Sequence, residues 1–157
     1  MSNLLYDRLF GCHAGETKPF LIFADGSNQS YDGFLRQTAR FANVINDLGL
    51  VIGDRLAAQV EKSAAALALY AACVQSGVIF LPLNIAYTPA EVSYFVGDSG
   101  AKLVVADAGF DLAAVAAVLP TAPQPPMKPL PPSIVGPMTW PPFFIRPVQP
   151  VGPKARC

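Results

Sequence analysis

Three neighbouring side chains near the amino terminus have types that bind metals or attack electrophiles. Cys12 and His13 are adjacent, and Glu16 follows the histidine by three positions. A tetrahedral zinc site needs about four such ligands, and the short polar connector that carries these residues offers no fourth. We therefore expect His13 to be structural or merely exposed, and neither catalytic nor metal-binding.

The pair Glu61–Lys62 and the residue Cys73 could also take part in chemistry, but a structural role explains each more simply. Glu61 and Lys62 are adjacent and could form a general acid–base pair. Neighbouring residues at the end of a strand point to opposite faces, however, which favours a solvated edge. Cys73 lies in a run of alanine and leucine, where a cysteine is most simply a small buried hydrophobe.

Aromatic residues and the cysteine pattern complete the inventory. Tyr87, Tyr94 and Phe95 could line a pocket, although core packing is the favoured interpretation.

The three cysteines are widely spaced and form no Cys-x-x-Cys pair, which argues against a disulfide framework and fits a reducing cytoplasm. The sequence therefore assigns no catalytic, cofactor-binding or metal-binding residue.

Hydrophobic periodicity and turn signals predict the elements that position these side chains. In chain order they are a hairpin arm over residues 20–25, an amphipathic helix over 34–48, a strand over 55–60, a helix over 64–76, a strand over 78–83, a helix from 88 to about 96, a strand over 102–106 and a helix over 112–118. Gly49 ends the first helix and Ser63 caps the second. Thr88, Pro89 and Glu91 have the types of a capping box. This alternation predicts an α/β fold with parallel strands and covering helices.

An uncharged stretch of the chain raises the question of a membrane span. Residues 64–83 are apolar enough to be nominated as a span of about 20 residues, which would make a small membrane-associated protein. Ser76, Gly77 and Pro82 interrupt the stretch, so a buried helix followed by a buried strand explains it better. We expect no membrane span, and the amino terminus shows no secretory signal.

The composition changes abruptly near Leu119. All eleven acidic residues lie at or before Asp111, whereas thirteen of the sixteen prolines lie at or after Pro120. The charge of residues 1–118 is −4 and that of residues 119–157 is +4, and neither half shows the clustered basic face of a nucleic-acid-binding protein. We interpret residues 1–118 as one part of a folded domain and residues 119–157 as a disordered proline-rich tail.

The tail has two explanations. Residues 120–132 contain four overlapping Pro-x-x-Pro spacings, which would suit an adaptor that binds SH3- or WW-type domains. Translation of a GC-rich coding sequence in the wrong frame explains the lack of acids and the abrupt start, and it is the favoured hypothesis.

Several segments of residues 1–118 resemble, in the same order, the AMP-forming acyl-CoA synthetases. They are Ser-Tyr at 30–31, Gly-Asp-Arg at 53–55, Val-Glu-Lys-Ser at 60–63, Val-Gln-Ser-Gly-Val-Ile-Phe-Leu-Pro-Leu-Asn at 74–84, Tyr-Thr-Pro-Ala-Glu at 87–91 and Tyr-Phe-Val-Gly-Asp at 94–98. The residues at 61–63 and 82–84 are most similar to those of the malonyl-CoA and methylmalonyl-CoA synthetases.

The resemblance implies an enzyme that adenylates a carboxylate with ATP and Mg²⁺ and then forms a thioester with coenzyme A. The family's phosphate loop ending in lysine, its metal-binding motif, its ribose-binding aspartate and its catalytic lysine match no position of this sequence. What matches is scaffold, with Gly77 and Gly97 as turn points and Pro82 at a strand end. We therefore expect a partial amino-terminal subdomain of an adenylate-forming enzyme, inactive and without a cofactor of its own.

An incomplete sheet has a further consequence for the chain in the cell. Such a sheet leaves an edge strand unpaired and an apolar face uncovered. We therefore expect poor solubility or association with chaperones.

Overall fold

The computed structural model describes residues 3–111, together with the backbone of residues 143–147. The chain divides into two compact units. The first is Met1–Asp54 with Lys62–Ile79, and the second is Arg55–Glu61 with Phe80–Cys157.

The first unit is mainly helical. Its elements are the helix α1 (Leu4–Leu9), a 3₁₀ turn (Gly11–His13), the strands β1 (Pro19–Ile22) and β2 (Asn28–Ser30), and the helices α2 (Tyr31–Asp47) and α3 (Ala64–Ser76). The two strands pair antiparallel, with Leu21 opposite Gln29. The predicted hairpin is therefore confirmed, and α2 packs along α3.

Helix α2 is amphipathic, as its spacing predicts. Its buried side chains are Phe34, Thr38, Phe41, Ala42, Val44 and Ile45. Arg36 and Arg40 lie exposed on the opposite face. The Ser30 hydroxyl accepts from the Gly33 amide at 3.1 Å and caps the start. After the helix, Gly49 adopts a φ of +79°, the left-handed conformation expected where a helix ends.

Helix α3 is buried over most of its surface. The Ser63 hydroxyl accepts from the Ala66 amide at 3.1 Å, which confirms the predicted cap. Leu69 and Cys73 are fully buried. Gly77 ends the helix at a φ of +70°. In the part of the chain that the structure describes, no helix combines the length and apolarity needed to cross a bilayer.

The second unit is built around a sheet with the strand order β4-β3-β5-β6. The strands are β3 (Arg55–Gln59), β4 (Ile79–Pro82), β5 (Leu103–Asp107) and β6 (Phe143–Pro147), and the covering helix is α4 (Pro89–Ser99). Strands β3 and β5 are parallel, with Ala57 opposite Val104. Val92 and Val96 of α4 pack on these two strands in the core. The predicted α/β fold with parallel strands is confirmed.

Two details differ from the sequence-based expectations, and a third prediction is not tested. Strand β4 is an edge strand, with Ile79 51% exposed, so its continuous apolar run does not reflect burial on both faces. Gly97 is not a turn point, because α4 continues to Ser99 and Gly100 takes the left-handed conformation at its end. The helix predicted over residues 112–118 lies outside the described residues.

The predicted tail contains one described element. Residues 143–147 form β6, which pairs antiparallel with β5, so at these five residues the structure differs from the expectation of disorder. Phe143, Phe144 and Ile145 have the side-chain types that favour strands, and the outer edge of β5 offers unpaired backbone groups to such a segment. The Pro-x-x-Pro spacings at 120–132 lie outside the described residues.

Candidate functional site

The carboxyl ends of the strands form the natural place for a site in the second unit. Gln59 is the last residue of β3, and Asp107 is the last residue of β5. Pro82 is the last residue of β4, as the sequence predicts for a strand end. Because β3 and β5 run parallel, their carboxyl ends lie at the same edge, where ligands bind in open α/β sheets.

The Gln59 side chain is the most constrained polar group at this edge. Its Nε2 atom donates to the Tyr87 carbonyl at 2.8 Å and to the Asn84 carbonyl at 3.0 Å. The Ile85 carbonyl lies 3.4 Å from the same nitrogen. A primary amide has two hydrogens to donate, so the third contact is the weakest. Gln59 therefore ties the end of β3 to the whole segment between β4 and α4.

Burial makes these contacts important. Gln59 is only 3% exposed, and its Oε1 atom has no hydrogen-bond partner among the described residues. A buried amide oxygen without a donor is unfavourable, and the contacts that Nε2 makes offset this cost. The residue is a structural clamp on the segment that precedes α4.

Asp107 makes the second polar link at the same edge. Its Oδ2 atom accepts from the Glu61 backbone amide at 2.8 Å. The side chains of Glu61 and Lys62 are both exposed, and the hydrogen bond uses only the backbone of Glu61. This arrangement is typical of a solvated strand end and brings no acid–base pair together.

The aromatic residues near α4 divide into two kinds. Tyr87 stacks on Phe95 with ring centroids 5.0 Å apart, and Tyr87 packs against the apolar core. Tyr94 contacts Phe95 edge-on at 5.5 Å but is 67% exposed. The core-packing prediction is therefore confirmed for Tyr87 and wrong for Tyr94. Tyr94 lies on the outer face of α4, and which residues face outward depends on how the helix lies on the sheet.

The cluster at Cys12, His13 and Glu16 is held by local contacts. The His13 ring stacks on Tyr31 with centroids 4.2 Å apart, and its Nδ1 atom lies 3.4 Å from Glu16 Oε1. The Cys12 thiol donates to the Arg8 carbonyl at 3.4 Å. Among the described residues no group of three histidine, cysteine, aspartate or glutamate side chains could hold a metal ion. The arrangement is typical of a structural histidine.

Two titratable groups have pKa values that reflect structural roles. Burial raises the pKa of the Cys73 thiol to about 12, and Cys73 is completely buried. The prediction that it is a small buried hydrophobe is confirmed. Hydrogen bonds from the backbone and then the side chain of Thr88 lower the pKa of Glu91, because they stabilise its charged form.

Sequence reasoning missed Gln59. A signal was present, because a glutamine directly after the apolar residues at 56–58 places a polar side chain at the end of a buried strand. Its partners are backbone carbonyls some 25 to 28 positions further along, and no residue type marks those. Among the described residues, this edge consists of hydrogen-bonded scaffold and brings no reactive groups together.

Comparison with known proteins gives a family. The family model described as "AMP-binding enzyme" matches residues 12–134. The fatty acid–[acyl-carrier-protein] ligase ScoC of Streptomyces coeruleorubidus is 30% identical over 83 residues, which are 53% of this chain and 16% of that protein. Feruloyl-CoA synthase of Amycolatopsis is 34% identical over 80 residues, which are 51% of this chain and 16% of that protein.

Solved structures give the same result for the fold. The crystal structure of MatB from Rhodopseudomonas palustris matches with a TM-score of 0.68 and 42% identity, over 74% of this chain and 23% of that one. The amino-terminal domain of FACL13 from Mycobacterium tuberculosis matches with a TM-score of 0.62 over 78% of this chain and 31% of that one, and at 24% identity this likeness concerns the fold. The chain thus spans less than a third of each of these four proteins or domains.

Proposed function

Since this chain belongs to the AMP-binding enzyme family, we propose that it is the amino-terminal scaffold of an AMP-forming acid–thiol ligase and does not catalyse the reaction alone. The parent reaction is adenylation of a carboxylate by ATP with Mg²⁺, followed by thioester formation with coenzyme A. Carboxylate, ATP and coenzyme A are accordingly partners of the complete enzyme, and its proposed location is the cytoplasm.

The observation that carries this proposal is the match to MatB, with 42% identity over 74% of this chain but only 23% of that one. A match in both sequence and fold that covers only 23% of MatB concerns the scaffold at one end of a much longer enzyme. Adenylation needs groups that bind phosphates and offset the charge that develops on phosphorus. The sequence of 157 residues offers no Ser/Thr/Gly-rich loop ending in lysine.

The proposed substrate group is that of malonate and methylmalonate. Support comes from the amino-acid sequence at residues 61–63 and 82–84, which resembles that of the malonyl-CoA and methylmalonyl-CoA synthetases. The other relatives are named as enzymes that join an acyl group to coenzyme A or to an acyl carrier protein. An acid–thiol ligation is therefore the common element, and the choice of a small dicarboxylic acid is the finer part of the proposal.

A direct assay tests whether the chain is inactive alone. The purified 157-residue chain is incubated with ATP, Mg²⁺, coenzyme A and malonate or methylmalonate, and MatB serves as the positive control. We expect no thioester and no pyrophosphate above background. Measurable turnover by this chain would contradict the proposal.

A chimera tests the scaffold role with a positive result. Residues 12–107 of this chain replace the matching region of MatB, and thioester formation is measured with MatB's own substrate. We expect the chimera to keep activity, because the two regions share the family match and 42% identity. The matched control carries Gly77→Val, which should abolish the activity since Gly77 has a φ of +70°. Loss of activity in a chimera that folds would count against the scaffold role.

A further inference from the structure

Two Asp–Gly dipeptides lie close together in the sequence of the first unit. They are Asp25-Gly26 and Asp32-Gly33, and the sequence contains no other Asp–Gly. An aspartate followed by glycine can rearrange without an enzyme, because glycine has no side chain to shield its amide nitrogen. Since the two dipeptides are chemically identical, a difference in their reactivity has to come from the folded chain.

The rearrangement is a ring closure followed by hydrolysis. The glycine nitrogen attacks the side-chain carboxyl carbon (Cγ) of the aspartate, so that a C–N bond forms and the Cγ–OH bond breaks. The hydroxyl leaves with the amide proton as water. Water then opens the five-membered succinimide at either carbonyl, which gives aspartate again or isoaspartate, whose main chain runs through the side chain. Ring closure needs rotation of the aspartate backbone until the nitrogen reaches Cγ.

Helix α2 holds Asp32 and Gly33 in its first turn. The Gly33 amide donates to the Ser30 hydroxyl at 3.1 Å, and this hydrogen bond caps the helix. The Asp32 amide donates to the Glu16 carbonyl at 3.0 Å, and the Asp32 carboxylate accepts from Arg36. A helical backbone has a ψ of about −42°, and rotating Asp32 away from it would break the cap and the first turn. The helix therefore keeps the Gly33 nitrogen from the carboxyl carbon.

The other dipeptide lies in the connection between β1 and β2. All residues from 22 to 28 are exposed. Gly26 has a φ of +83°, and nothing lies within 4 Å of a Cβ built there. The Gly26 amide donates to the Phe23 carbonyl at 3.0 Å, within the same connection. Rotation at Asp25 therefore breaks only local, solvent-exposed contacts, which open at little cost in free energy.

We propose that Asp25-Gly26 is a site of spontaneous isoaspartate formation and that α2 protects Asp32-Gly33 from the same reaction. The inference does not depend on the ligase scaffold role. The modification lengthens the main chain of the turn by one carbon atom. The Phe23 amide now donates to the Ser27 carbonyl across this turn at 2.9 Å, so the modified chain loses that pairing or strains it.

Ser27 slows the reaction at Asp25. The Ser27 hydroxyl donates to Asp25 Oδ1 at 2.6 Å, and the Ser27 amide donates to the same oxygen at 2.9 Å. These hydrogen bonds lower the pKa of the Asp25 carboxyl, because they stabilise its charged form. The neutral acid is the form that loses its hydroxyl as water, and a lower pKa leaves less of it at neutral pH.

Ageing of the full chain compares the two sites directly. The native 157-residue chain is incubated near neutral pH at physiological temperature, and isoaspartate is located by proteolysis and tandem mass spectrometry. We expect isoaspartate at Asp25 to form several-fold faster than at Asp32, and the difference to shrink when the chain is kept unfolded in guanidinium. Equal rates in the native chain, or the same ratio in guanidinium, would overturn the proposal.

Two variants of the exposed turn assign the site. Asp25→Glu prevents closure of a five-membered ring at this position, so total isoaspartate, measured with an isoaspartyl methyltransferase, should fall to the small contribution from Asp32. Ser27→Ala removes the hydroxyl donor, so we expect faster formation at Asp25 and no change at Asp32. Circular dichroism checks that both variants fold. Unchanged total isoaspartate in Asp25→Glu would refute the site, and an unchanged rate in Ser27→Ala would refute the role of Ser27.

Discussion

The side-chain nitrogen of Gln59 donates to the backbone carbonyl of Tyr87 at 2.8 Å. This contact joins the carboxyl end of β3 to the residue that precedes the cap of α4. Because the same nitrogen also reaches the Asn84 and Ile85 carbonyls, one amide group holds the full connection between β4 and α4. The position of α4 on the sheet therefore depends on this amide as well as on the packing of Val92 and Val96.

We predict that Gln59→Glu destabilises the chain much more than its similar shape suggests. The substitution replaces the donor by a carboxylate oxygen facing three carbonyl groups. Leaving such buried groups unpaired costs about 1–3 kcal/mol, and more when a charge is involved. Denaturant unfolding monitored by circular dichroism measures the loss in the free energy of unfolding.

Gln37→Glu is the matched control for that variant. The Oε1 atom of Gln37 accepts from Gln29 Nε2 at 2.7 Å, and a glutamate keeps an acceptor there. We expect a change within about 0.5 kcal/mol, as for most surface substitutions. Equal effects of the two substitutions would mean that Gln59 does not act as the clamp described above.

The cap of α4 gives a second prediction. The Thr88 hydroxyl accepts from the Glu91 amide, and the Glu91 carboxylate accepts from the Thr88 amide at 2.8 Å. We expect Thr88→Ala to lower the free energy of unfolding by about 1 kcal/mol, as measured for other N-caps. Thr88→Ser keeps the hydroxyl and should restore most of the loss, whereas equal losses would argue against the cap.

The same cap predicts a dependence on pH. The folded pKa of Glu91 is lowered by hydrogen bonds from Thr88, so its contribution is fully present above the pKa of an unfolded glutamate. It is lost as the pH falls through the lower folded value. Glu91→Gln keeps an acceptor without a titrating group, so we expect the acid-induced loss of stability to be smaller in this variant. Identical pH profiles from denaturant melts would contradict the assignment.

Local signals predicted much of the fold because they act within a few residues. Ser63, Thr88 and Gly49 mark helix ends through contacts with their own neighbours, and the structure places each of them as expected. The stripe of α2 is equally local, since residues three and four apart share a face. Such features need no knowledge of the sheet.

The features that sequence reasoning missed depend on distant parts of the chain. The edge position of β4 follows from the strand order, which no single segment encodes. The choice of Gly100 over Gly97 as the helix end depends on how long α4 packs against the core. The partners of Gln59 and the pairing of β6 are contacts of long sequence separation, and residue types alone do not reveal them.

Gly77 gives a prediction that separates conformation from packing. Its φ is +70°, and a Cβ there would meet Ile52 Cγ1 at 3.0 Å. A left-handed conformation costs an L-residue about 1–2 kcal/mol, and the close contact adds to this. Gly26 has a φ of +83° with nothing within 4 Å of a Cβ, so Gly26→Ala isolates the conformational cost. We expect Gly77→Ala to lower the midpoint of denaturant unfolding more than Gly26→Ala, and the reverse order would refute the packing argument.

The reactivity of the thiols gives the last prediction. Burial raises the pKa of Cys73 to about 12, so the reactive thiolate is scarce, and complete burial also keeps reagents away. Cys12 is exposed and should react with Ellman's reagent at about pH 8 in the native state. In a chain with Cys12→Ser and Cys157→Ser, which leaves Cys73 alone, we expect no reaction until denaturant is added. Rapid labelling of that chain under native conditions would show that α3 opens and exposes its inner face.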